Sequence, residues 1–226
     1  EVLLVKRYMY TNKQIWDVSY PIFLSLLAQN VINVTDTAFL GRVGEVELGA
    51  SAMGGLFYIC AFTIAFGFST GSQIIMARRN GERNYREVGP VMIQGCFFLF
   101  IMAAILFFLS RLFVGDIMRF LISSDTILQA TEEFLDWRVF GFFFSFINVM
   151  FRALFIGITR TKVLTLSALV MAFVNVLLDY MLIFGKGGFP ELGIKGAAIA
   201  SVVAEAIVTL FYLVYTRITV DAGKYC

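Results

Sequence analysis

Six long apolar stretches divide the chain, at about residues 18–40, 51–77, 88–109, 134–158, 163–184 and 195–216. Each is close to or above the roughly 20 apolar residues that carry a helix across the hydrocarbon of a bilayer. The breaks between them hold glycine, proline and charge, the usual punctuation of turns. Gly41-Arg42-Val43-Gly44 closes the first stretch, and the arginine-rich run Ala77-Arg78-Arg79-Asn80-Gly81-Glu82-Arg83-Asn84-Tyr85-Arg86-Glu87 closes the second. Residues 110–133 read as a longer, partly polar connection in which Ser123-Ser124-Asp125 forms a turn or helix cap. Arg160 and Lys162 mark a short loop, and Gly185-Lys186-Gly187-Gly188-Phe189-Pro190 a reversal. The pattern predicts an all-α integral membrane fold of six transmembrane helices. Pro21 has two readings: a first-turn proline, or a kink point if the helix begins near Asn12. Residues 1–15, with Lys6, Arg7 and Lys13, read as a juxtamembrane segment.

The polar residues inside these stretches carry the chemistry. Asn175 and Asp179 stand four residues apart in an otherwise apolar helix, and so on one face. A charge at the centre of such a helix costs about 2.5–3.5 kcal/mol on insertion scales, so Asp179 needs a partner, a proton or a cation. The first stretch holds Gln29, Asn30, Asn33 and Asp36, which implies a face turned to protein or water. At the rise of an α-helix, Asp36 lies roughly 11 Å, Asp179 roughly 8 Å and Ser201 roughly 7 Å from the membrane midplane, all toward the outside. Asn33 and Asn175 fall just below that layer. Two carboxylates in one dry pocket do not both stay ionised cheaply: one takes a proton or a cation bridges them. Asp36, Asn175 and Asp179, with a hydroxyl, would suit a hard cation such as Na+. The plainer alternative is two unrelated interhelical hydrogen-bonding sites. Glu205, close to the midplane, reads either as a second proton site or as a protonated glutamate bonded between helices or facing a cleft. Arg152 reads as an inner-end arginine snorkelling to the interface, or as a group that binds an anion. Phe142-Phe143-Phe144 could line a pocket for bulky cations.

Composition narrows the classes. Of 226 residues, 59% are hydrophobic and 15% charged, against about 25% charged in soluble domains; the mean hydropathy is +0.83. Histidine is absent, which excludes imidazole catalysis and imidazole metal sites. The three cysteines, Cys60, Cys96 and Cys226, are scattered and support neither a zinc site nor a disulfide framework. Asn33-Val34-Thr35 matches a glycosylation sequon but would be buried in the membrane. The arginine loop lacks the spacing of a phosphate cradle, and no nucleic-acid partner is expected. With that loop inside, the inner segments hold 12 of the 18 Lys and Arg residues. This bias places both termini of the segment in the cytoplasm.

Five motifs in this order resemble the multidrug and toxic compound extrusion (MATE) transporters. They are Gln29-Asn30-Val31-Ile32-Asn33-Val34-Thr35-Asp36 with Phe39-Leu40-Gly41; the arginine loop; Arg152-Ala153-Leu154-Phe155-Ile156-Gly157; Asn175 through Gly185; and Gly193-Ile194-Lys195-Gly196-Ala197-Ala198-Ile199-Ala200-Ser201. The resemblance implies a secondary antiporter of the inner cell membrane that exports organic cations or other amphipathic drugs against inward Na+ or H+, with no other cofactor. It implies a cation site of Asp36, Asn175 and Asp179, with Ser201 as the candidate hydroxyl, and a bending role for Pro21. The acid pair looks most like the DinF-like branch. Family members have twelve spans in two six-helix lobes, so this chain matches one lobe. The chain begins at Glu1 rather than Met, and the expectation is an N-terminal half lacking its C-terminal lobe, the alternative being two assembled copies. A lipid-linked oligosaccharide flippase of the same superfamily would require a strongly cationic cavity. An intramembrane aspartyl enzyme would require Asp36 and Asp179 to act as a dyad.

Overall fold

A computed structural model describes residues 11–220 and 222–225. Lys6, Arg7 and Cys226 lie outside the described residues. The elements are α1 (Asn12–Val43), α2 (Glu45–Gly81), α3 (Val88–Leu121), α4 (Asp125–Arg138), α5 (Gly141–Gly157), α6 (Lys162–Ile183), α7 (Gly193–Thr219) and the short α8 (Ala222–Tyr225), with one 3-10 turn, Tyr85–Glu87. Five helices are long and apolar enough to cross a bilayer. The pair α4 and α5, bent by 55°, supplies a sixth span. The six-span, all-α architecture expected from the sequence is therefore present.

The helix α1 begins at Asn12 because Thr11 caps it. The Thr11 hydroxyl accepts from Gln14 N at 3.3 Å, and Thr11 N donates to Gln14 Oε1 at 3.0 Å. Pro21 is thereby an interior proline, not a first-turn one. It cannot donate to the carbonyl of Asp17, so one rung of the helix is missing there. Its own carbonyl accepts instead from Thr165 Oγ1 of α6 at 3.0 Å.

Two expectations are corrected. Residues 110–133 are not a connection: α3 runs on to Leu121, and α4 starts at Asp125 after a break of three residues. Hydropathy marks the part of a helix that meets lipid, and α3 continues past that limit, where it meets α4. Arg111 of α3 bonds Asp136 of α4. The fourth span is not one straight helix. Phe140 N donates to Trp137 O at 3.2 Å and Phe142 N to Val139 O at 3.1 Å. These i to i+3 bonds tighten the backbone into a turn at Val139 and Phe140 that interrupts the helix at the bend.

In the packing, α1 lies along α6, α6 along α7, and α5 against α2, α3 and α7. Phe142, Phe146, Met150 and Phe155 of α5 are fully buried, so α5 forms the spine of the core. At Gly196 a Cβ would lie 2.7 Å from the Leu182 backbone, so only glycine lets α6 and α7 approach this closely. Phe97, Leu112, Phe120 and Phe173 point outward, as a lipid-facing surface requires.

Candidate functional site

A cavity of about 420 Å³ opens between α1, α2, α5, α6 and α7. Ser201, Glu205, Val208 and Tyr212 line it at successive turns of α7. Gln29, Asn33 and Asp36 line it from α1, and Asn175 from α6. The i, i+3, i+4 spacing read from the sequence thus turns these polar residues onto one wall. Its aromatic lining comes from Tyr58, Phe62 and Phe66 of α2 and Tyr212 of α7. Phe142, one of the three phenylalanines that could have lined a pocket, is packed in the core.

At one end of the cavity α1 and α6 bring two acids together. The carboxyl groups of Asp36 and Asp179 both lie against the side chain of Asn175. Asn175 sits between them. Both neighbours are acceptors, so the amide nitrogen faces them: it donates to Asp36 Oδ1 at 3.0 Å and to Asp179 Oδ2 at 3.2 Å. The other end of the carboxamide lies 3.5 Å from Ser201 Oγ. Asp179 is fully buried, and its Oδ1 has no hydrogen-bond partner. The three residues that depth put in one layer, Asp36, Asp179 and Ser201, are therefore gathered around Asn175.

The donor set fits a proton or a hard monovalent cation. Two carboxylates, an amide oxygen and a hydroxyl are oxygen ligands, and the orphan Asp179 Oδ1 is a free acceptor. Among the described residues no cluster of three or more Asp, Glu, Cys or His side chains exists, so a polyacidic divalent-metal cage is not built here. A cation held between the carboxylates would need Asn175 to turn its oxygen toward them.

Glu205 lies elsewhere on the wall; it faces the cavity, as one reading of the sequence had it, but with a cationic partner. It accepts two bonds from the guanidinium of Arg138: Nη2 to Oε1 at 2.8 Å and Nη1 to Oε2 at 3.1 Å. The Tyr58 hydroxyl is 3.2 Å from both carboxylate oxygens and donates to Ser145 Oγ at 2.8 Å. The Arg138 guanidinium lies over the Tyr58 ring, 3.5 Å from its centroid. Glu205 does bond between helices, but as an ion pair. A Cβ on Gly141 would strike Arg138, Glu205 and Tyr58 together, so the cluster closes only over a glycine. Arg138, which the sequence pattern did not single out, stands at the bend between α4 and α5 and is largely buried beside its partner. Arg152, expected to snorkel, lines the cavity. Pro21 is not part of the acid cluster; it lies on the same helix as Asp36, α1, about 22 Å of helix earlier.

The MatE family model matches residues 21–181. The probable multidrug resistance protein NorM of Synechocystis sp. is 26% identical over 199 residues, 88% of this chain and 43% of that protein. The probable NorM of Agrobacterium fabrum is 25% identical over 208 residues, 91% of this chain and 44% of its own. The chain thus spans less than half the length of these relatives. A solved outward-facing multidrug resistance MATE transporter of the MOP superfamily superposes with a TM-score of 0.85 at 18% identity, over 95% of this chain and 48% of that one. The eukaryotic MATE transporter AtDTX14 does so with a TM-score of 0.85 at 21% identity, over 94% and 47%. With the family model matched over most of its length and the fold shared with solved members, the chain belongs to the MATE family of membrane transporters.

Proposed function

We propose that the chain is the N-terminal six-helix lobe of a secondary antiporter that exports organic cations or other amphipathic drugs against inward Na+ or H+. Both termini of the segment would face the cytoplasm of an inner cell membrane, and a C-terminal lobe, or a second copy, would complete the path. The observation that carries this reading is the meeting of Asp36 and Asp179 at Asn175, on the wall of a cavity open to a drug-sized molecule. Two carboxyls so close exchange one proton or one cation for the second negative charge, which ties ion occupancy to the α1–α6 contact. The missing backbone rung at Pro21 makes α1 the span least costly to bend, and ion binding would bias it between straight and bent forms. Alternating access needs such a two-state element.

The cavity argues against the flippase. Its lining holds two acids, Asp36 and Glu205, and two guanidinia, Arg138 and Arg152, so it is not strongly cationic. An aspartyl dyad is equally disfavoured, because Asn175 occupies the space between the carboxyls and Asp179 is sealed from any peptide.

In the full transporter, Asp36→Asn and Asp179→Asn are each expected to abolish ion-driven dye efflux from proteoliposomes while membrane insertion stays normal. Undiminished efflux in both variants would overturn the proposal.

A further inference from the structure

Resting on the reading that the Asp36 end takes a cationic group, we infer that the other end of the cavity, at Arg152, is an anion-recognition subsite. Its ligand would be an amphipathic molecule that carries a carboxylate or phosphate at a distance from its cationic part. The cavity has two guanidinia in unlike states. Arg138 is neutralised, with its partner Glu205 bonded through two nitrogens. Arg152 is half-buried on the same wall, and among the described residues it makes no ion pair. A guanidinium drawn out of water without a counter-charge is held at a cost that a ligand anion removes. Its surroundings are those of an oxyanion pocket rim rather than of a lipid-facing snorkel. Tyr212 lines the same cavity and stacks on Phe151, the residue before Arg152, with ring centroids 5.5 Å apart; the Tyr212 hydroxyl is bonded to Ser167 Oγ at 2.7 Å. Planar guanidinium with neighbouring hydroxyls suits a carboxylate or phosphate.

The spacing sets the ligand's shape. Ser167, tied to Tyr212, and Asn175, at the acid pair, both lie on α6 and both line the cavity. Eight residues separate them, about 12 Å of helix. The two poles therefore match one elongated molecule with opposite charges near its two ends, an aromatic or alkyl body lying against Tyr58, Phe62 and Phe66.

The test uses acridine orange alkylated on its ring nitrogen with a carboxypentyl chain, and the methyl ester of the same dye. The two differ only in the anion. Binding is read by fluorescence polarisation on the purified chain, and thermal unfolding is followed in parallel. The wild type is expected to bind the acid at least about tenfold more tightly than the ester, the worth of one charge-assisted hydrogen-bond pair. Arg152→Gln should erase that preference and leave the ester's affinity unchanged, while Arg152→Lys retains part of it. Loss of both dyes in equal measure in Arg152→Gln, or no preference in the wild type, overturns the subsite. Asp36→Asn should weaken both dyes equally. If it weakens neither while the Arg152 preference stands, the cationic end fails and the anionic subsite does not.

Discussion

Asn175 is one side chain with two usable faces, and its neighbours decide which face looks inward. With the nitrogen toward Asp36 and Asp179 it ties two helices together; with the oxygen toward them it would be a ligand for a cation. The amide is therefore expected to matter more than the hydroxyl next to it, since 3.5 Å is long for a hydrogen bond. Asn175→Leu should weaken ion dependence of efflux by about tenfold or more, the order of one hydrogen bond made in a dry site. Ser201→Ala should change it less than about threefold, on the same scale. Titrating Na+ and pH against efflux rate in both variants checks the ranking, and a larger effect for Ser201→Ala would refute it. This corner was legible from sequence because helix geometry is regular. A rise and a period convert residue numbers into depth and facing, and Asp36, Asp179 and Ser201 needed nothing more to be placed in one layer, with Asn175 just below it.

Among the elements, the bend between α4 and α5 was the least legible feature. The residue that makes it consequential, Arg138, sits at the end of a polar helix, where hydropathy reads a membrane boundary. Its partner Glu205 is 67 residues further on. No local pattern links the two, and Gly141, the small residue that admits them, resembles any other glycine in the sequence. The extension of α3 to Leu121 escaped for a related reason: a helix can outrun the lipid it crosses. The ion pair itself can be tested by a mutant cycle. Removing one partner of a buried pair costs about 3–5 kcal/mol, whereas replacing both with apolar residues of similar volume can be neutral. Arg138→Met is thus expected to lower the unfolding temperature in detergent sharply, and Arg138→Met with Glu205→Leu to recover most of the loss. Gly141→Ala, which crowds the same three side chains, should cost about 1–3 kcal/mol. Additive losses in the double variant would mean that the two side chains act independently.

On the scale of the whole lobe, the helices are unequal in length. The longest, α2, has 37 residues, about 55 Å, while α6 has 22 residues, about 33 Å. The shorter one barely exceeds the hydrocarbon thickness of about 30 Å, and it is the one that carries Asp179, four residues from its end at Ile183. A thick bilayer would draw that end inward, and a thin one would lift it toward the headgroups. Lipid chain length should therefore act as a control on ion entry. In vesicles of short-chain phosphatidylcholine the acid pair is expected to exchange its ion faster than in long-chain vesicles, with the α2 ends indifferent to the change. Stopped-flow measurement of ion release across a lipid series would read this directly. On the proposed reading the membrane would itself be a component of the coupling site, since its thickness would set how far a buried carboxylate stands from water.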